Sequence, residues 1–132
     1  MNTGNLTTRK LILSICGAAV LFGAGALVGA NRFAKPSTIL HVVTVRFKAE
    51  ATAEQKADVL KGVEKMAAEI PGVKSVWTKA IKVQGEGYNA AFVMEFENQK
   101  AFEAYADHAA HKVWEQTYLQ VRDQSTTHDI TN

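Results

Sequence analysis

The sequence predicts an α+β fold, a four-stranded antiparallel sheet with helices on one face in the order βαββαβ. Three observations carry this prediction. Segments 39–48, 73–84, 88–97 and 125–131 alternate apolar with polar side chains or are rich in β-branched and aromatic residues, as strands are. Between the first and second, and between the third and fourth, apolar residues recur at helical spacing instead. The whole pattern fits within residues 38–132, the size of one domain. This order is the ferredoxin-like plan.

The elements follow in turn. ILHVVTVRFK at 39–48 sets His41, Val43, Val45 and Phe47 on one face and Thr44 and Arg46 on the other, so the histidine points at the interior. Thr52 and Gln55 have the spacing of a capping box, and Val59, Val63, Met66 and Ile70 make residues 53–69 an amphipathic helix that Pro71-Gly72 stops. VKSVWTKAIKVQ at 73–84 alternates as a second strand and ends at the turn Gly85-Glu86-Gly87. In the third, Tyr88, Ala90, Phe92, Met94 and Phe96 share an apolar face. Asn98 caps a second helix through Phe102, Tyr105 and Ala106. A third covers roughly 111–122 with Trp114, Tyr118 and Val121 inward, and 125–131 closes the sheet.

Helices cover one face of such a sheet. The first strand is also apolar on its other face, at Leu40 and Val42, so something outside the chain must bury that face. A second copy of the sheet is the simplest partner, a homodimer through the sheet face.

Charge excludes one class of partner. Arg9 and Lys10 are the only charged residues among the first 30, and the remainder balances thirteen basic against thirteen acidic residues. A neutral body gives nucleic acid no electrostatic footprint. Residues 11–30 carry no charge and follow a basic start, the layout of a signal peptide, and they are also long enough to span a bilayer as an anchor. Val28-Gly29-Ala30 suits cleavage before Asn31, whereas Gly25 and Gly29 form a GxxxG suited to helix pairing if the segment is retained. Either way the domain is expected to be exported, periplasmic or secreted, or tethered at the membrane by residues 11–30. Residues 31–37 read as a linker. Cys16, in the leader, is the single cysteine, which removes disulfides and thiol chemistry from the domain.

Three segments resemble the stress-responsive A/B barrel family, often called Dabb: HVVTVRFK at 41–48, IPGVKSV at 70–76 and FEAYADHAAHKVWE at 102–115. The resemblance implies two ferredoxin-like sheets paired as a dimeric α+β barrel over residues 38–132. Some members are enzymes, including a polyketide cyclase and a hydroxynitrile lyase, with a pocket between sheet and helices. Carried over by motif, the pocket residues are His41, Tyr105 and His111. Members often have proline after the first histidine of the Y-x-x-H-x-x-H segment, where this chain has Ala109.

These residues suit acid–base chemistry on a small apolar or carbonyl-containing molecule. A buried imidazole needs a partner, and beside a tyrosine it can move a proton while the phenol polarises a carbonyl. In one unbroken helix Tyr105 and His111 fall on different faces, so a kink at 108–110 must bring them to one cavity. Asp107, His108 and His111 resemble a metal cluster but are one ligand short, with Glu103 or Glu115 needed to complete it, and the expectation is no metal and no cofactor. Gly85-Glu86-Gly87 lacks the helix and lysine of a phosphate loop. His128 and Asp129 alternate on the last strand, so these neighbours cannot pair with each other. The rival expectation is a non-catalytic stress-response or oligomeric structural protein. A cavity among His41, Tyr105 and His111 separates the two.

Overall fold

The computed structural model describes residues 33–132. The leader at 11–30 lies outside the described residues, and among those described no helix is long and apolar enough to cross a membrane.

The chain runs β1 (Ile39–Phe47), α1 (Ala53–Glu69), β2 (Val73–Trp77), β3 (Ala90–Phe96), α2 (Gln99–Tyr105), α3 (Ala109–Val121) and β4 (Arg122–Ile130). The sheet order is β2-β3-β1-β4 with every pairing antiparallel, so the fold is ferredoxin-like. Both caps form as their residues require. The Thr52 hydroxyl accepts from Gln55 N while the Gln55 side chain accepts from Thr52 N, and Asn98 accepts from Ala101 N. Gly72 turns the chain from α1 into β2 at φ 84°, a left-handed conformation that L side chains resist.

Four boundaries differ from the sequence expectation. The second strand stops at Trp77, not at residue 84, because Lys79 and Ile81 alternate without burying anything and Ile81 is fully exposed. Residues 78–89 form a loop through Gly85 and Gly87, both at positive φ, and Tyr88 joins this loop with its hydroxyl 2.8 Å from Thr126 Oγ1. At the other end, α3 starts at Ala109 and β4 begins at Arg122 with no connecting loop, earlier than residue 125. Arg-Asp-Gln hides this start because β4 is an edge strand with solvated side chains, and a bulge near Phe47 absorbs the tight entry.

The core lies between the sheet and α1 and α3. Val43, Val45 and Phe47 of β1 and Phe92, Met94 and Phe96 of β3 meet Val59, Val63 and Met66 of α1 and Tyr118 and Val121 of α3. Among the described residues no helix covers the opposite sheet face. Across its middle run Trp77, Val93, Val42 and His128 in register, with Leu40 and Ile130 in the next row, and Trp77 and Ile130 are about half exposed.

Gly62 sets the distance between α1 and α3. A Cβ there would sit 2.6 Å from Trp114 Cδ1, and the indole is held by a 3.0 Å bond from Nε1 to the Val59 carbonyl and by stacking on Tyr118. Replacing glycine inside a helix by alanine ordinarily gains about 1 kcal/mol. At this position the sign reverses: Gly62→Ala displaces a wedged indole at a cost of about 1–3 kcal/mol, and thermal unfolding should show a Tm lowered by several degrees.

Candidate functional site

The register of β1 builds the site. His41 lies across from Met94 on β3 and from Asp129 on β4, so all three side chains share the helix-covered face. The His41 side chain is 12% exposed and is held at both nitrogens. Its Nδ1 is 2.7 Å from Asp129 Oδ1 and its Nε2 is 3.0 Å from the Tyr105 hydroxyl. A carboxylate only accepts, so Nδ1 carries a proton, and in the neutral ring Nε2 accepts from the phenol. Burial, with the carboxylates of Asp129 and Glu115 adding to it, pushes the Tyr105 phenol up to about 12. The phenol therefore stays protonated at neutral pH and acts as a donor.

The break between α2 and α3 places His111. His108 caps α3 with its Nδ1 accepting from Ala110 N at 3.2 Å. Ala109 occupies the first helical position, where a proline would also be tolerated, so the cap defines the break without one. His111 then reaches back, its Nδ1 3.1 Å from the Ala106 carbonyl. A carbonyl oxygen only accepts, so this nitrogen also carries a proton, and a neutral ring leaves Nε2 as a free acceptor.

Tyr105 stands between the two imidazoles, its ring centroid 5.2 Å from His41 and 5.0 Å from His111, and Phe96 backs it at 4.9 Å. The kink thus brings Tyr105 and His111 together, but the phenol bonds to His41 and meets His111 edge-on. A tyrosine–histidine hydrogen bond exists in this site with the strand histidine as the partner. Asp129 is the residue sequence reasoning missed. That it points away from His128 was legible; the signal left unused was what stands opposite it, which is settled by the pairing of β4 with β1.

His41, Tyr105 and His111 line one cavity of about 250 Å³, floored by Val43, Phe92 and Met94. Its far end is polar, with Arg122, Ser125 and Thr127 on the wall. Arg122 Nη1 donates to Ser125 Oγ at 3.2 Å, and its guanidinium lies 5.6 Å from the Tyr118 ring centroid. Burial raises the Tyr118 phenol, with Ser125 and Arg122 pulling the other way, although no hydrogen bond of proper geometry reaches its oxygen.

Among the described residues no three histidine, cysteine or acidic side chains gather as metal ligands. The suspected set is dispersed: His108 caps a helix, His111 bonds to a carbonyl, and Asp107 lies 3.4 Å from Lys112 Nζ. The cavity wall also lacks the glycine-rich helix N-terminus a phosphate-bearing cofactor would use.

Comparison with known proteins agrees with this architecture. The chain is 30% identical over 88 residues to a stress-response A/B barrel domain-containing protein of Arabidopsis thaliana, covering 64% of this chain and 77% of that one. It is 28% identical over 96 residues to olivetolic acid cyclase of Cannabis sativa, covering 70% of this chain and 95% of the cyclase. Among solved structures, a dimeric ferredoxin-like protein of Thermobifida fusca superposes with a TM-score of 0.64 at 20% identity, over 77% of this chain and 97% of that one, which shows the shared fold. Residues 39–132 match the family model of the stress responsive A/B barrel domain, and this chain belongs to that family.

Proposed function

We propose that the chain binds a small, largely apolar, carbonyl-containing molecule in the cavity beneath α2 and α3 and moves a proton there. The observation that carries this reading is the hydrogen-bonded chain Asp129–His41–Tyr105, which ends at a cavity that His111 also lines. The cyclase relative supports it, since its name records chemistry on a small molecule. About 250 Å³ is near the lower end of small-ligand sites, which favours a compact ligand.

The roles follow from the proton positions. The Tyr105 hydroxyl has one proton, given to His41 Nε2 without ligand and turned to a ligand oxygen in the complex, while Asp129 fixes the tautomer and orientation of the imidazole. His111 Nε2 is the acceptor for a ligand proton, the step for which a positioned base contributes roughly 10²–10⁴ in rate. Titrating phenolic and polyketide-like carbonyl compounds against wild type, Tyr105→Phe and His111→Ala by thermal shift tests the site. A ligand-induced shift lost in the variants, whose own Tm stays near wild type, is the expected result. Equal shifts in all three proteins would exclude these residues from binding.

The free sheet face supports a homodimer as the working form. Trp77, Val93, Val42, Leu40 and Ile130 make an apolar strip too wide to leave in water, and relatives of this fold are dimeric. Light scattering at micromolar protein should give twice the chain mass, and Val42→Lys, at the centre of the strip, should return the monomer. A monomeric wild type would refute the dimer and leave the strip as evidence for another partner.

Export remains our reading of the basic start and the uncharged stretch at 11–30. Mass spectrometry of the protein from its native cell should find Asn31 as the first residue. An intact Met1 in the membrane fraction would replace secretion with anchoring.

A further inference from the structure

The polar far end of the cavity calls for a ligand group of its own. Arg122 is the only lysine or arginine on the cavity wall, and among the described residues no carboxylate lies within ion-pair distance of it. A guanidinium has five N–H donors, and the protein offers this one a single acceptor, Ser125 Oγ, leaving Nε buried without a partner. The usual sink for a cation at the end of a helix is the last turn of carbonyls. Here Lys48 has taken it: its backbone N–H bonds to the Val121 carbonyl and its Nζ to the Gln120 carbonyl, at 2.9 and 2.7 Å. Of the nearby carboxylates, Asp129 is bonded to His41, and Glu115, which does line the cavity, makes no ion pair with Arg122. Arg122 is also well anchored, since its backbone N–H closes α3 on the Tyr118 carbonyl and the residue opens β4.

We propose that Arg122, with Ser125 beside it, is the anion-recognition end of the cavity, and that the ligand is a carbonyl compound bearing a carboxylate. The carboxylate sits on the guanidinium and the carbonyl lies toward Tyr105 and His111. This assignment rests on the small-molecule reading above and names the ligand class within it. Thr127 lies on the same cavity wall and on the same sheet face as His41, placing hydroxyls along the path between the two ends.

Calorimetric titration of the protein with 3-benzoylpropanoate, a ketone carrying a carboxylate, and with its uncharged primary amide tests the proposal. The acid should bind wild type about tenfold or more tightly than the amide, as a charge-assisted forked pair predicts. Arg122→Gln should abolish that preference, and Arg122→Lys should retain part of it, keeping the charge without the fork. Tyr105→Phe should weaken both compounds by the same factor and keep the preference. Equal binding of acid and amide to wild type, or a preference that survives Arg122→Gln, overturns the role of Arg122. If both then still weaken in Tyr105→Phe, the pocket itself stands. Failure of wild type to bind either compound overturns the pocket and the assignment together. Should Arg122→Gln not fold, the wild-type pair and Arg122→Lys decide, the lysine variant failing the proposal if its preference equals that of wild type.

Discussion

One imidazole joins three elements of this molecule. His41 belongs to the central strand β1, bonds through Nδ1 to Asp129 on the edge strand β4, and bonds through Nε2 to Tyr105 at the end of α2. Few other side chains can do this. A planar ring with a donor and an acceptor on opposite sides spans from sheet to helix and satisfies both nitrogens, so a polar group can stand in an apolar face without the desolvation cost of an unpaired one. Because α2 buries none of its residues fully, the rings of Phe96, Phe102 and His41 around Tyr105 are what position it.

The cavity exists because the helical layer is interrupted. A single helix from 99 to 121 would carry Tyr105 and His111 on diverging faces. The His108 cap breaks it, and the carbonyl of Ala106 left over at the end of α2 is taken by His111. On the other side, Gly62 lets Trp114 approach α1 closely enough to bond to Val59, so the indole forms a wall. Two local compromises, a broken helix and a helical glycine, thus shape one pocket with a protonated phenol at one end and a guanidinium at the other. Such departures from ideal local structure gather where function is expected.

The two faces of the sheet divide the work. The covered face holds the core and the site, while the other carries Trp77, Val93 and Val42 across one row and Leu40 and Ile130 in the next, with Glu95 and His128 set among them. Val42 and His41, adjacent in sequence, serve the two faces, so a one-residue slip of β1 would exchange the covered face and the open one. The bulge near Phe47 and the direct passage from α3 into β4 hold that register.

Much of this was readable in one dimension, and the reason is periodicity. Alternation placed Val43, Val45, Phe92, Met94 and Phe96 inward, helical spacing placed Val59, Val63 and Met66, and the capping residues Thr52 and Asn98 marked helix starts because their chemistry is local. Where alternation lacked burial, at residues 78–84, it misled, and the polar opening of β4 concealed a strand whose pairing with β1 is long-range. The site divides in the same way. His41, Tyr105 and His111 were legible as residue types in a recognisable pattern, but their hydrogen bonds were not, because residues 41, 105 and 129 are neighbours only through strand register and helix docking. The sequence alone determined the kind and order of the elements and the inward face of the core strands and helices, all set by interactions within a few residues. The tertiary structure alone decided that Asp129 holds His41, that Tyr105 turns to it and not to His111, and that Arg122 has no counter-charge among the described residues, since each depends on contacts between distant segments.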